Sequence, residues 1–303
     1  MRVAFIGLGN MGGPMALNIV AAGFDTVVSD LDGAKVARVV SAGATAAPDA
    51  ATAVAGADIV LTSLPGPKHV HAIADQIIPL MTSGSIWVDL STNDLDCARY
   101  VGALAGRHGV NVMDAPVSGG VEGARAGTLS VLVGGDAVAH ARCLPLFEAI
   151  GDRHDLLGPH GSGYVAKIAQ VMLCYLNSVC LTEALILGVK GGVEPDKMLD
   201  IIRHSTGRSY VADRYGPEIL NGCYDDTFDL TLAAKDLRLA MELASTVSAE
   251  LPFTAGVTEF YAVAEAEFGP TAPHLMAMRR IEDANDLVLH EIQQSMNVRG
   301  TPT

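Results

Sequence analysis

Aromatic side chains are scarce in this 303-residue chain, at 5% of all residues, although half of the residues are hydrophobic. Glycine, with 32 residues, and alanine are plentiful instead. Small side chains let helices and strands approach closely, so we expect tight, helix-rich packing. Because the length exceeds the usual size of one domain, we expect two domains.

Positive charge is also in short supply. The 20 Lys and Arg residues face 34 Asp and Glu residues, which gives a formal net charge of −14. This balance argues against nucleic acid or an anionic membrane surface as the main partner. A small anionic substrate remains compatible with it, since a local site can be positive inside an acidic protein.

Paired cysteines and long uncharged apolar runs are missing too. The five cysteines show no Cys-x-x-Cys motif and no paired spacing, so we expect a reduced, cytoplasmic protein without a disulfide framework. The most apolar stretch, Ile168–Val189, carries Gln170, Asn177 and Glu183, which favours a buried helix over a membrane span. The chain leads directly into a predicted strand, so we expect no signal peptide.

What the sequence does contain is a glycine-rich turn directly after the apolar run Arg2–Ile6 and before a helical pattern. In this strand–turn–helix context, the Gly-x-Gly-x-x-Gly spacing is a strong dinucleotide-binding signature. Gly7 permits the tight turn, Gly9 lets backbone approach a pyrophosphate, and Gly12 lets the helix pack against the strand. We therefore predict that the cofactor is bound by Gly7, Gly9, Asn10, Met11 and Gly12.

Asp30 follows the second predicted strand, eighteen residues after Gly12. A carboxylate at this place can accept both hydrogen bonds from an adenosine ribose and would repel a 2′-phosphate, which favours NAD over NADP. Asp32 is the alternative residue for this role. Asp30 could instead be a turn or N-cap aspartate before the helix predicted near Gly33–Ser41.

Strand and helix patterns then alternate through the first half of the chain. This alternation predicts an α/β fold with a mainly parallel, doubly wound sheet. Ligands bind outside the carboxyl ends of such strands, so Pro65-Gly66-Pro67 and Ser91-Thr92-Asn93 should line the cofactor side. Our candidate cofactor residues in this region are Leu64, Pro65 and Thr92. The further predicted strands are Thr26–Ser29, Asp58–Leu64, Ser85–Leu90, Asn111–Val117 and Thr128–Val133, and the helices are Pro67–Gln76, Asp94–Arg107 and Ala137–Ile150.

Lys167 stands alone, because no other lysine occurs between Lys68 and Lys190. It follows a glycine-spaced approach and opens a long apolar pattern that predicts a helix. The helix dipole disfavours an ammonium near a helix N-terminus, and burial disfavours it further. Such a lysine can lose its proton near neutral pH, which suits a general base. The alternative is a surface lysine on an ordinary first turn.

A second glycine-rich segment, Asp114–Leu129, falls between two predicted strands. Ser118, Gly119 and Gly120 can present a hydroxyl group and backbone amides to a carboxylate, as an anion nest does. The alternative is a glycine-rich turn that binds no ligand.

Histidine offers no comparable signal for a metal. His69 and His71 are two residues apart at the start of a predicted helix, so their side chains point to different faces. No acidic or cysteine cluster accompanies them, and we expect no metal site.

Together these motifs resemble the β-hydroxyacid dehydrogenases, a family that includes 3-hydroxyisobutyrate dehydrogenase and tartronate semialdehyde reductase. The resemblance covers nearly the whole chain, with its motifs in the same order. They are Gly7–Gly12, Leu64-Pro65, Ser91-Thr92, Asp114–Leu129, Gly158–Lys167 and Lys235–Ala240.

The resemblance implies NAD-dependent interconversion of a small 3-hydroxy acid and its semialdehyde, with Lys167 as general acid/base. It places the substrate carboxylate at Ser118, Gly119 and Gly120, and the nicotinamide near Thr92. It also implies that the cofactor is covered by Phe228, Lys235 and Asp236.

The same resemblance implies an all-helical C-terminal domain, a long interdomain helix and a homodimer or homotetramer. The predicted division is a Rossmann-type domain over 1–162, the interdomain helix over 163–192 and the C-terminal domain over 193–303. Helical patterns in the last part cover Pro195–Arg203, Val211–Leu220, Leu230–Ser245, Phe253–Phe268 and Ile281–Gln293.

One position departs from the family. Four residues after the lysine the family usually has an asparagine, and this chain has Val171. Gln170 shares the helix face of Lys167 and is our candidate for orienting the substrate hydroxyl. The substitution leaves the identity of the hydroxy acid open.

The same residues bear on other possible functions. Tartronate semialdehyde reductase is the nearest alternative, and the 6-phosphogluconate enzyme would need a larger helical domain. An imine reductase tends to carry aspartate or tyrosine in place of Lys167, and a non-catalytic binding module should have lost the lysine or the glycines. Four arginines could bind a second substrate charge, although surface ion pairs are the favoured interpretation: Arg203, Arg208, Arg214 and Arg238.

Overall fold

A computed structural model describes residues 1–293 of the chain. They form two compact units, Met1–Ile168 and a second that starts at Ala169. The last part of the predicted C-terminal domain, 294–303, lies outside the described residues. The division into two domains and a separate interdomain helix stays a prediction.

The first unit alternates strands with helices, as the sequence pattern predicts. Its strands are β1 (Arg2–Ile6), β2 (Asp25–Ser29), β3 (Thr45–Ala46), β4 (Ile59–Thr62), β5 (Ile86–Asp89), β6 (Asn111–Asp114), β7 (Val117–Ser118), β8 (Leu129–Gly134) and β9 (Gly151–Gly158). Its helices are α1 (Gly12–Ala21), α2 (Gly33–Val40), α3 (Ala50–Ala53), α4 (Pro67–Ile77), α5 (Leu95–His108), α6 (Gly120–Ala126) and α7 (Ala137–Ile150).

The strands form one sheet in the order β3-β2-β1-β4-β5-β6-β8-β7, and β9 pairs with β8. The six strands from β3 to β6 pair in parallel, whereas β8 runs antiparallel to β6 and β7. Strand order reverses beside β1, so β1 and β4 flank the switch point where ligands bind in open α/β sheets. The predicted fold class is confirmed.

Two apolar cores cover the two faces of this sheet. Val3 and Phe5 enter one core, and their neighbours Ala4 and Ile6 enter the other, because successive side chains of a strand point to opposite faces. Burial of a large apolar side chain contributes roughly 1.5–3 kcal/mol each. Because both faces of this sheet are covered, its central strands are apolar at nearly every position and do not alternate with polar residues.

One strand prediction in this unit was wrong, and the strands β3 and β9 were not predicted. The predicted strand Asn111–Val117 ends at Asp114 and pairing resumes only at Val117, because Pro116 cannot donate a hydrogen bond to the ladder. The strand β9 was not predicted, since its residues are mostly charged or exposed and show no apolar alternation. It nevertheless pairs in parallel with β8 at the edge of the sheet.

The second unit is helical throughout its named elements. After α8 (Ser162–Lys190) come α9 (Pro195–Arg203), α10 (Tyr210–Arg214), α11 (Gly216–Asn221), α12 (Leu230–Thr246), α13 (Pro252–Phe268) and α14 (Arg279–Asp283), followed by helical residues 289–293. The helix predicted over Val211–Leu220 is divided next to Pro217, which occupies the first turn of α11. The helix predicted over Ile281–Gln293 is interrupted after Asp283, where Asp286 adopts a φ of 50°.

The long helix α8 begins in the first unit and continues into the second. By length and composition alone it could cross a membrane, and the core helix of a soluble protein meets the same criterion. Leu173 and Leu187 are exposed on it, at 50% and 75% of their surface. The boundary between the units thus falls inside a helix.

Candidate active site

The glycine turn after β1 has the three distinct environments that its spacing predicts. Gly7 has a φ of 90°, and a Cβ there would lie 2.3 Å from the Ser63 carbonyl oxygen. A Cβ at Gly12 would lie 2.0 Å from the Gly7 oxygen. At Gly9 no atom of the described residues lies within 4 Å of a Cβ position, so its backbone is open to a ligand. This arrangement fits a dinucleotide pyrophosphate.

Asp30 lies at the carboxyl end of β2 and folds back on this turn. Its Oδ2 atom accepts a hydrogen bond from the Leu8 amide at 2.5 Å, and its Oδ1 atom accepts one from the Asp32 amide at 2.8 Å. The side chain is half-buried, and each carboxylate oxygen has a second acceptor position. Asp32 caps α2 by accepting from the Ala34 amide, so the N-cap role proposed for Asp30 belongs to Asp32.

Asp89, at the carboxyl end of β5, is a buried carboxylate that the sequence analysis did not single out. Three hydroxyl groups donate to it: Thr62 Oγ1 at 2.7 Å and Ser91 Oγ at 2.6 Å bind Oδ1, and Tyr164 binds Oδ2 at 2.7 Å. Burial raises the pKa of Asp89, and the hydrogen bonds from Ser91, Tyr164 and Thr62 work in the opposite direction. Burial also raises the pKa of Tyr164 well above its usual value, so Tyr164 is a protonated donor.

The loops after β4 and β5 are joined by the Ser91 hydroxyl group. It donates to Asp89 and accepts from the Leu64 amide at 2.9 Å. Leu64 and Thr92 are half-buried, whereas Pro65 is exposed. Predicted cofactor residues from both loops therefore lie at the same edge of the sheet, where parallel strands end.

The start of α8 is fixed by a second buried carboxylate, Asp114, at the carboxyl end of β6. Its two oxygens accept hydrogen bonds from the Gly161 amide at 2.7 Å and the Tyr164 amide at 2.8 Å. At Gly163 a Cβ would lie 2.1 Å from the Leu132 carbonyl oxygen, so the helix touches β8 backbone to backbone. The His160 ring also lies against Asp114, with 3.2 Å between Nδ1 and Oδ1.

Lys167 lies on the second turn of this helix, three residues after Tyr164, and is half-buried. A spacing of three residues places the two side chains on neighbouring parts of the helix surface. The first turn of α8, directly before the turn that carries Lys167, is therefore fixed to the carboxyl ends of β5 and β6, the edge at which the predicted cofactor loops lie.

Ser118, Gly119 and Gly120 occupy the junction between β7 and α6. Ser118 pairs with Ser130 in the sheet, and the two glycines have φ values of 132° and 64°. Both glycines are exposed, and no atom of the described residues lies within 4 Å of a Cβ position at Gly120. Consecutive residues in this conformation can aim backbone amides outward, as an anion nest does.

In the second unit, Phe228 precedes α12 and is held by His274. The His274 amide donates to the Phe228 carbonyl oxygen at 2.9 Å, and the two rings meet edge to face at 5.6 Å. The buried His274 side chain also contacts Asp225, with 3.1 Å between Nε2 and Oδ2. Burial alone would raise the pKa of Asp225, but hydrogen bonds from His274 and Thr227 bring it down to about 2.

The other predicted residues of the second unit lie on α12 and α8. Asp236 is buried, accepts from the Tyr175 hydroxyl at 2.9 Å and lies 3.1 Å from the Lys235 ammonium. Gln170 is half-buried, and Val171 packs into the apolar core of this unit. Whether these residues bind cofactor or substrate stays a prediction.

The remaining polar candidates are engaged in other contacts. Arg203, Arg214 and Arg238 pair with Asp213, Glu218 and Glu265, as the surface-ion-pair interpretation predicts. All five cysteines are free. Among residues 1–293 no group of three or more His, Cys, Asp or Glu side chains is placed to hold a metal ion.

Asp89, Asp114 and Tyr164 were missed by the sequence analysis. Both aspartates end the observed strands β5 and β6. The available signal was their place next to recognised motifs, since Asp89 lies two residues before Ser91 and Asp114 opens the segment Asp114–Leu129. A polar residue where parallel strands end lies on the ligand side of the sheet, even when it contacts other side chains and not the ligand.

Two family models match the chain. The NAD-binding domain of 6-phosphogluconate dehydrogenase matches residues 2–158, and the NAD-binding domain of NADP-dependent 3-hydroxyisobutyrate dehydrogenase matches residues 161–281. These matches cover the glycine turn and the segment that contains Lys167.

Individual proteins are similar over most of their length. An NAD-dependent L-serine dehydrogenase of Pseudomonas aeruginosa is 39% identical, over 83% of this chain and 88% of that protein. A 3-hydroxyisobutyrate dehydrogenase of the same species is 38% identical, over 88% of this chain and 93% of that protein. The solved structure of Mycobacterium tuberculosis 3-hydroxyisobutyrate dehydrogenase with L-serine is 31% identical, with a TM-score of 0.85 over 92% of this chain and 98% of that one.

Fold, motifs and comparisons agree. The glycine turn, the doubly wound sheet and the helical second unit match proteins whose activity is the oxidation or reduction of a hydroxyl-bearing carbon with a nicotinamide cofactor. The chain belongs to the β-hydroxyacid dehydrogenase family.

Proposed function

We propose that this protein interconverts a small 3-hydroxy acid and its semialdehyde, with NAD preferred over NADP. The observation that carries the proposal is the position of Lys167 on α8, one turn after the residues that Asp89 and Asp114 bind. Those carboxylates end the strands β5 and β6, beside the predicted cofactor loops. In the proposal, Lys167 transfers the proton and the cofactor exchanges the hydride at this edge of the sheet.

The proposed substrate class follows from the relatives. One is named for 3-hydroxyisobutyrate and another for L-serine, and a solved relative contains L-serine. Both compounds carry a carboxylate and a hydroxyl group on carbon 3, which is the chemistry that this chain would recognise. Tartronate semialdehyde, an aldehyde acid of similar size, is the alternative substrate.

In this mechanism the backbone amides at Gly119 and Gly120 and the Ser118 hydroxyl bind the substrate carboxylate. The Lys167 amine accepts the hydroxyl proton as the carbonyl group forms, and its ammonium returns the proton in the reverse direction. NAD, when bound, supplies the hydride acceptor for oxidation. General acid/base catalysis of this kind contributes about 10²–10⁴-fold to the rate.

Cofactor binding in this mechanism depends on the glycine turn, the β4 and β5 loops and Asp30. Gly9 offers the open backbone, and Asp30 retains acceptor capacity for ribose hydroxyls. We place Phe228, Lys235 and Asp236 among the cofactor residues as well. Gln170 would orient the substrate hydroxyl, since Val171 offers no amide there.

The proposal is tested by Lys167→Ala. We expect turnover to fall at least a hundredfold while the dissociation constant for NADH stays within a factor of three, because the amine serves proton transfer and not cofactor binding. Initial rates with 3-hydroxyisobutyrate, L-serine and tartronate semialdehyde, each with NAD(H) and NADP(H), would identify the substrate. Full turnover in the variant would contradict the assigned role of the lysine.

Assembly and location are part of the same proposal. We infer a homodimer or homotetramer, and exposed apolar side chains such as Leu187 and Phe253 are consistent with further contacts. A reducing, cytoplasmic location agrees with five free cysteines.

A further inference from the structure

Hydrogen bonds connect Asp89 to two different parts of the first unit. Through Ser91, its Oδ1 atom is connected to the Leu64 amide in the loop after β4. Through the Tyr164 hydroxyl, its Oδ2 atom is connected to the first turn of α8. One buried carboxylate thus fixes both a predicted cofactor loop and the helix that carries Lys167.

The Tyr164 hydroxyl adds a side-chain hydrogen bond to the backbone contacts that hold the start of α8. Asp114 binds the Gly161 and Tyr164 amides, which fixes where the helix begins. The close approach of Gly163 to the Leu132 carbonyl oxygen holds the backbone of the same turn. The side-chain bond from Tyr164 to Asp89, at 2.7 Å, adds a contact away from the helix axis, which further restricts rotation of the helix and with it the direction of a residue one turn later.

We propose that Tyr164, acting through Asp89, is a positioning residue for Lys167, and that Ser91 is the corresponding positioning residue for the cofactor loop. This inference rests on the proposed role of Lys167 as the proton-transferring group. Misplacement of a reacting group by about 1 Å can cost about 10²-fold in rate, so a single buried hydroxyl is sufficient for a large effect.

The two connections predict changes in different quantities, namely kcat for the Tyr164 variant and the dissociation constant for NADH for the Ser91 variant. Tyr164→Phe should lower kcat about tenfold to hundredfold and leave the dissociation constant for NADH within a factor of three. Ser91→Ala should weaken NADH binding at least fivefold. Its kcat at saturating cofactor should fall less than that of Tyr164→Phe, because Asp89 keeps its hydrogen bonds from Thr62 and Tyr164. A general loss of stability would change both quantities together in each variant.

Tyr224→Phe is the matched control. Tyr224 is also a buried tyrosine, and its hydroxyl donates to the Glu282 carboxylate at 2.9 Å in the second unit. Tyr224→Phe removes the same kind of hydrogen bond, so the melting temperature of this variant should fall about as much as that of Tyr164→Phe. Its kcat should be retained. Equal kcat losses in Tyr164→Phe and Tyr224→Phe would overturn the proposal.

A readout that needs no turnover separates this inference from the proposed function. Hydrogen–deuterium exchange of the amides of residues 161–168 should be at least tenfold faster in Tyr164→Phe than in the unchanged protein, and unaffected in Tyr224→Phe. Unchanged exchange together with unchanged kcat would refute the positioning role.

Absence of any 3-hydroxy acid turnover in the unchanged protein would instead refute the proposed function. The exchange experiment would still show whether the Tyr164 hydroxyl holds the start of α8. If Tyr164→Phe does not fold, Ser91→Ala decides: lost kcat with retained NADH binding would contradict the assignment.

Discussion

Both carboxylate oxygens of Asp30 are held by backbone amides, those of Leu8 and Asp32. These bonds fix the direction of the side chain before any cofactor binds. They also stabilise the glycine turn, since Leu8 lies between Gly7 and Gly9. Under the role proposed for Asp30, cofactor selection and the shape of the glycine turn depend on the same side chain.

We predict that Asp30→Ala reduces the preference for NADH over NADPH at least tenfold. The reason is that the carboxylate would no longer repel the 2′-phosphate or bind the ribose hydroxyl groups. Dissociation constants from fluorescence titration with both cofactors would measure the change. We also expect weaker binding of NADH, because the Leu8 amide loses its acceptor.

Asp32→Ala is the control for this experiment. It removes the N-cap of α2, at a cost of about 1 kcal/mol in stability, and should leave the cofactor preference unchanged. A shift of preference in Asp32→Ala, with none in Asp30→Ala, would assign the selecting carboxylate to Asp32.

At the scale of secondary-structure elements, the first turn of α8 packs directly on the backbone of the sheet. A Cβ at Gly163 would lie 2.1 Å from the Leu132 oxygen and 2.9 Å from the Asp114 oxygen, both of which belong to backbone. Backbone atoms of a sheet cannot move aside cheaply, so any side chain here must displace the helix.

We predict that Gly163→Ala lowers the melting temperature and reduces kcat at least tenfold, because the displaced helix carries Lys167 with it. Gly106→Ala on α5 is the matched control, since no atom of the described residues lies within 4 Å of its Cβ position. Alanine is favoured over glycine inside a helix by up to about 1 kcal/mol, so this control should be as stable as the unchanged protein or more so. An unaffected Gly163→Ala protein would contradict the close packing of α8 on β8.

The predictable elements share one property, which is a local apolar pattern. The helices α7 and α9 have the predicted bounds because their buried positions recur at helix spacing, and the strand β1 has them because it is a short, continuous apolar run. The strand β9 has no such pattern, and pairing with β8 determines it. Its position at the sheet edge tolerates charged residues, so its own sequence carries little information about it.

The same distinction applies to the candidate site. The glycines around Gly9 were recognised because each position needs a particular backbone geometry, and that need is visible in the spacing. The network around Asp89 was missed because it joins Thr62, Ser91 and Tyr164, which lie far apart in the chain. A single sequence does not reveal which buried polar groups will meet.

For the molecule as a whole, charge and apolar surface make opposing contributions to assembly. A net charge of −14 disfavours association of identical chains at low ionic strength. Exposed apolar residues such as Leu173, Leu187 and Phe253 favour it.

We predict that light scattering gives a mass of two or four times the 31.5 kDa of one chain. Apolar contacts persist in salt and charge repulsion is screened by it, so the assembly should be at least as stable at 0.5 M salt as at low salt. A mass equal to one chain under both conditions would contradict the predicted assembly.

The boundary between the two compact units has a practical consequence for dissecting the protein. A gene fragment that ended at Ile168 would keep only the first turns of α8, from Ser162 onward. Asp89, Asp114 and Leu132 belong to this fragment and would still hold the first turn, but Lys167 would stand next to a chain end, and helix ends fray. Truncation between the units would therefore leave Lys167, the proposed proton-transferring residue, on a frayed turn, and recombination between relatives should exchange α8 as a whole.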